Sequence, residues 1–251
     1  MKLTLLIMLI IVIPAPVMLR HMLSGRNAYR GVLEGSLSAM TGVAALFLLY
    51  WIMTGETFFD TLNSALSRIS VEDMNMNAYT LMGAKPLGAD EMQLMLDNMK
   101  ETTKLAIPGL LIIFCMFIAY VNYAVLSWAL AKRGKRVSSL PPFRSFSLPK
   151  NSVIGSLVIY LLAYLTVDMG IIDQKLIMFN LEMLFTFVFS VQGLAVVFYF
   201  GYRKRIPKLV VAVIAGIFYL TWFGQTFLFF LGLVDVVFDI RKRFSQTNLK
   251  I

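Results

Sequence analysis

The chain contains one cysteine and one histidine in 251 residues. That is too few for a disulfide framework, a structural zinc site or an iron–sulfur site, so no metal and no cofactor are expected. Charge is also scarce. Asp, Glu, Lys and Arg make up 15% of the residues, against about 25% in an ordinary soluble domain. Three motifs are missing: a Gly-x-x-x-x-Gly-Lys-[Ser/Thr] phosphate loop, a His-Glu-x-x-His pair and a Gly-x-Ser-x-Gly elbow. Any energy drawn from ATP must therefore come through a partner, and nothing positive points to an enzyme. No repeat of 20–50 residues marks a solenoid.

What is abundant is apolar bulk. The hydrophobic set makes up 59% of the chain, with 20 Phe, 16 Met and 10 Tyr, and the mean hydropathy is +0.76. So little charge cannot cover a water-soluble globule of this size. The composition excludes a soluble fold and predicts an all-α integral membrane protein, a single polytopic membrane domain over 1–251.

A helix crosses the hydrocarbon core with about 20 apolar residues. The segments 3–19, 32–54, 105–131, 152–172 and 176–202 qualify. The run from Leu209 to Ile240 is long for one span and short for two. A turn at Gly224-Gln225 would split it into 208–223 and 225–240. With that hairpin and the Arg20–Arg30 segment inside, 17 basic residues fall on the cytoplasmic side and 6 outside; without it the division is 13 to 10. The positive-inside rule thus favours about seven transmembrane helices in one bundle and a cytoplasmic C-terminus. A tilted single helix followed by an interfacial one also fits 209–240. The net charge of +9 is accounted for by these flanks, so the partner is the lipid bilayer and no nucleic acid is expected. Ala15-Pro16 is a poor cleavage site, and the three Arg that follow oppose a cleaved leader. The N-terminus then lies outside, as it would if a further span preceded it.

The segment 55–104 is the one substantial polar stretch and falls on the outer side. In 56–70 and 89–105 apolar residues recur at helical spacing (Phe58, Leu62, Leu66, Ile69; Met92, Leu96, Met99). Each reads as an amphipathic helix lying on the membrane or capping the bundle, with a turn at 82–88 between them. The basic loop 132–150 holds no acid and would lie on anionic headgroups, or serve only as a topology determinant.

Polar groups in hydrocarbon are costly and tend to face a bundle interior, which makes them functional candidates. Four could line a solute site: Glu182, Asn122, Gln192 and Asn180. Glu182, one heptad from Lys175, could hold a cationic group. The alternative is that Glu182 is interfacial and that Asn122 and Gln192 hydrogen-bond between helices. Asp235 and Asp239 share a helix face, and Asp239 is spaced to pair with Arg243. This is a helix-end ion pair, or a carboxylate relay for protons. Gly31, Gly35 and Ala39 form a strip of small residues that permits close helix approach, either within the protein's own bundle or to a docking partner.

Three stretches in order, Leu140-Pro141-Pro142-Phe143-Arg144 with Leu148-Pro149-Lys150, Val191-Gln192-Gly193-Leu194-Ala195, and Gly232-Leu233-Val234-Asp235 with Asp239-Ile240-Arg241-Lys242-Arg243, resemble the YybS-like family of bacterial inner-membrane proteins of unknown function. The resemblance covers residues 100–243 best. That family is in turn similar to the S-components of energy-coupling-factor (ECF) transporters. S-components are small helical bundles that bind a vitamin or metal ion and dock on a T-component driven by two ATPases. The resemblance implies a transporter-like bundle, with Gly31, Gly35 and Ala39 in the docking role. S-components usually have six spans and no outer segment as long as 55–104. Two other functional classes stand beside this reading: a non-transport assembly or scaffold protein of the cell envelope, and an intramembrane enzyme.

Overall fold

Helix is the conformation that lets a chain this apolar satisfy its backbone without water. In the computed structural model, which describes residues 12–24, 27–70, 88–135, 137–170 and 173–247, the described residues form helices and connecting turns with no strand. The chain divides into two units, Met1–Ser138 and Ser139–Ile251.

In the first unit, α1 (Ala15–Leu23) begins with a proline in its first turn, where the missing N–H costs nothing. Next comes α2 (Ala28–Thr54), capped by the Asn27 side chain accepting from Tyr29 N at 3.0 Å. It ends at Gly55 in the left-handed conformation, φ 72°. Its 27 residues extend about 40 Å, enough to cross a membrane. The small-residue strip lies on its buried face and meets the unit's own helices. A Cβ on Gly35 would stand 2.0 Å from Met18 Cε, and one on Gly31 would stand 2.6 Å from Tyr123 Cε2. His21 Nδ1 lies 2.9 Å from Glu34 Oε2 and joins α1 to α2.

A short helix, α3 (Phe58–Ser67), opens with a Thr57/Asp60 capping box. The Thr57 hydroxyl donates to Asp60 and holds that carboxyl below its usual pKa. Phe58 stacks on Phe47 at 4.5 Å, and the Tyr50 and Thr61 hydroxyls lie 2.9 Å apart, which folds α3 back against the end of α2. The expected outer helix 89–105 and span 105–131 form one continuous helix, α4 (Ala89–Lys132), running through Pro108. Its 44 residues extend about 66 Å, roughly twice the hydrocarbon thickness. Lys100 Nζ donates to Ile69 O at 3.0 Å and ties α4 to the residues after α3.

The second unit contains a single 3-10 turn (Phe143–Ser145), then α5 (Ser152–Asp168), α6 (Gln174–Arg203), α7 (Lys208–Tyr219), α8 (Trp222–Phe238) and α9 (Ile240–Thr247). Asp173 caps α6, accepting from Leu176 N at 2.9 Å. The most extensive packing is between α6 and α8, and glycines make it possible. A Cβ on Gly193 would stand 2.0 Å from Leu228 O, and one on Gly232 would stand 1.9 Å from Phe189 O. Backbone therefore touches backbone, and the pairing of 193 with 228 and 189 with 232 makes the two helices antiparallel.

The run 209–240 is broken, but at Leu220-Thr221 rather than Gly224-Gln225, and the bent pair counts as one candidate span rather than two. The helices on either side are bent by 111°. Thr221 decides the position. Its hydroxyl accepts from Gly224 N at 3.0 Å and donates to Phe218 O at 2.8 Å, an N-cap arrangement. Gly224 serves the turn because a Cβ there would stand 1.8 Å from Phe218 O.

Among the described residues three helices, α2, α4 and α6, are long and apolar enough to cross a membrane; the bent pair α7–α8 would add a fourth. The 17 residues of α5 reach about 26 Å, short of the roughly 30 Å core. Most of the expected span 3–19 lies outside the described residues, as does the turn at 82–87.

Candidate functional site

The close approach of α6 and α8 decides what happens to the polar residues between them. Gln192, next to the contact glycine, is fully buried, and Asp235, one turn beyond Gly232, is 3% exposed. An unpaired amide or carboxylate at such a place costs several kcal/mol, on the order of 2–7 for a neutral group and more for a charge. Neither is unpaired. Gln192 Nε2 donates to Asp235 Oδ2 at 2.6 Å, and Gln192 Oε1 accepts from Leu148 N at 3.0 Å.

Asp235 also receives Arg241, whose Nε and Nη2 donate to Oδ2 at 3.0 and 2.8 Å and whose backbone N donates to Oδ1 at 3.3 Å. The Arg241 Nη1 donates onward to Arg144 O at 2.9 Å. One carboxylate and one guanidinium thus neutralise each other, and their remaining hydrogen-bonding atoms hold the 139–150 loop onto the α6–α8 pair.

The return of Arg241 to Asp235 depends on Asp239, which leaves the helix in the left-handed conformation, φ 50° and ψ 49°. The Asp239 carbonyl accepts from Arg243 N at 3.1 Å, the first turn of α9, and its carboxylate has two lysine partners. Lys150 Nζ lies 2.7 Å from Asp239 Oδ2, and Lys242 Nζ lies 3.6 Å from Oδ1. The Lys150 ammonium, donating to it, holds the Asp239 carboxyl below its usual pKa. Asp235 and Asp239, read as sharing a helix face, turn to different bases; Arg243 follows in α9.

Beside this network the Arg144 guanidinium stacks on the Tyr202 ring at 3.7 Å. It stands on the wall of a cleft of about 160 Å³ between the 3-10 turn, the end of α6 and the start of α7. Gly201 allows the close approach of α7, since a Cβ there would stand 2.6 Å from Val211 Cγ2.

The three solute candidates of the second unit, Asn180, Glu182 and Gln192, are not gathered into one site. Gln192 is consumed in the network. Glu182 is exposed on α6, ten residues earlier, about 15 Å along the axis. The Asn180 amide turns back on its own helix, donating to Leu176 O at 2.6 Å. Asn122 is half-buried in the first unit. Arg241, Arg144 and Lys150 were read only as topology charges and motif residues. The signal that could have found Arg241 is electrostatic: a carboxylate buried at the end of an apolar helix requires a base within reach.

Residues 1–236 match the family described as "Predicted membrane protein (DUF2232)". The chain belongs to this family. The matched stretch takes in Gln192 and Asp235 and stops short of Arg241. Over 138 residues the DUF2232 chain is 25% identical to the "Uncharacterized protein YybS" of Bacillus subtilis (strain 168), covering 54% of this chain and 44% of that protein. The chain thus aligns with less than half the length of this curated relative. No solved structure matches.

Proposed function

We propose that this DUF2232 protein is a non-enzymatic membrane subunit of a larger inner-membrane assembly, S-component-like, which handles a small solute together with a T-component and ATPases. The observation that carries the reading is the broken α7–α8 pair. Its helices of 12 and 17 residues reach about 18 and 26 Å, so neither crosses a core of about 30 Å alone. Irregular backbone at membrane depth is tolerated where protein covers it or where it lines a cavity, and broken helices of this kind build the sites of many transporters. At the bend Leu220 is 85% exposed and Trp222 82%, a surface suited to a partner subunit.

The topology that accompanies the proposal has a cytoplasmic C-terminus and the 55–104 segment outside. Up to seven membrane-embedded helices are counted by including 3–19, α5 and both arms of the bent pair. A second reading, a scaffold protein of the cell envelope, is favoured by the saturation of the Gln192–Asp235–Arg241 network, which leaves that carboxylate no capacity for a solute.

Small-molecule mass spectrometry of the detergent-purified protein separates the two. The transport reading expects a solute retained at a fixed ratio to protein and lost in Glu182→Gln or in a variant of the bend. Absence of any solute from repeated preparations would move the scaffold reading ahead.

A further inference from the structure

The cleft beside the network holds about 160 Å³, whereas sites that engulf a small molecule run to about 300–1,000 Å³. Its occupant must insert only part of itself. The walls are apolar, from Phe143, Phe198, Ile206 and Val211, while Arg144 and Lys208 supply two cations and no lining residue is acidic. Neither cation has an ion-pair partner among the described residues.

Arg144 is held in place twice: its ring contact with Tyr202 orients the guanidinium, and its carbonyl is fixed by Arg241. Such preorganisation lowers the ordering cost of binding an anion. Beyond Lys208 and Val211, α7 exposes Leu209, Val213 and Ile214, an apolar surface next to the cleft. An occupant with a phosphate at one end and hydrocarbon at the other fits both parts. A small anion would meet the two cations but leave the apolar walls uncovered, and a zwitterionic headgroup would bring its own cation to two others.

We propose that this cleft is a binding site for an anionic glycerophospholipid of the leaflet facing the Arg203–Lys208 segment. Its headgroup phosphate sits between Arg144 and Lys208, and an acyl chain lies along α7. The proposal is independent of any transported solute.

The test is native mass spectrometry of the full chain in detergent with dioleoyl-phosphatidylglycerol, dioleoyl-phosphatidylcholine or millimolar sodium phosphate. The wild type should retain phosphatidylglycerol over phosphatidylcholine about tenfold or more, and phosphate should not displace it. Arg144→Gln/Lys208→Gln should lose that preference, and Lys208→Gln alone, at an exposed position, should weaken it with the fold intact. Lys204→Gln, outside the cleft, should keep it. Equal retention of the two lipids, an unchanged preference in Lys208→Gln, or an equal loss in Lys204→Gln would overturn the site. Full displacement by phosphate would make it a free-anion site and overturn the lipid assignment.

Discussion

Replacing Asp235 by Asn removes the one carboxylate that faces a guanidinium of 11% side-chain exposure. Breaking a buried pair by deleting one partner costs about 3–5 kcal/mol, because the other charge is left uncompensated. The Asn oxygen still accepts one hydrogen bond, so the lower end, about 3 kcal/mol, is expected. Arg241→Met should cost a similar amount, since Asp235 keeps only the Gln192 amide as a strong side-chain donor. The double variant Asp235→Asn/Arg241→Met buries no charge at this site and should be less destabilised than the sum. The difference, a coupling of about 2 kcal/mol, lies inside the range for residues of one network. The assay is a double-mutant cycle on reversible unfolding in mixed micelles. Additivity of the single effects to within about 0.5 kcal/mol would refute the claim that the two side chains form a buried unit.

Gly193→Ala and Gly232→Ala should each destabilise by at least about 1–3 kcal/mol through overpacking, because the added Cβ meets backbone carbonyls at 2.0 and 1.9 Å. Gly155→Ala and Gly216→Ala, where a Cβ meets nothing within 4 Å, should unfold like the wild type or slightly later. Gly35→Leu should lower the stability of the isolated protein, since the strip faces Met18; unchanged stability would return the strip to the partner-docking role. The Asp239 carboxyl is held below its ordinary pKa of 3.8 by Lys150. The stability it contributes is therefore present above pH 3.8 and lost as pH falls through the lower folded value, and Asp239→Asn should remove that acid limb from stability-versus-pH curves. With Cys115 buried, single cysteines at Glu56 and Ser145 should label differently in intact cells. Only Glu56→Cys should react with an impermeant thiol reagent; labelling at Ser145→Cys alone would invert the topology.

Much of the helical framework follows from patterns readable in one dimension. The long apolar runs of α2 and α6 and the helical spacing of apolar residues in 56–70 are local signals, and local rules locate them. The position of the α7–α8 break was misjudged because Gly224 attracts attention as a turn residue while Thr221, the cap that sets the break, looks like one more residue of an apolar run. The partners of Asp235 were beyond reach for a different reason. Helical spacing predicts i, i+4 pairs, whereas Arg241 lies six residues from Asp235 and reaches it past one left-handed residue at Asp239. The union of 89–105 with the following span was missed because composition changes there while backbone conformation does not. Gln192 is legible as a polar residue within a span, a solute-site candidate with an interhelical hydrogen bond as the alternative, but the carboxylate and loop N–H that satisfy it come from 43 residues downstream and 44 upstream, distances at which no spacing rule speaks.

The most direct test of the account is native mass spectrometry of the protein purified from its own membrane in mild detergent. The S-component-like reading predicts a species heavier than the 28.3 kDa chain, containing a second polytopic subunit and a pair of ATPases, and dissociated by charged substitutions at Leu220 and Trp222. A chain that carries lipid but no protein partner under conditions that keep other membrane complexes intact would contradict it.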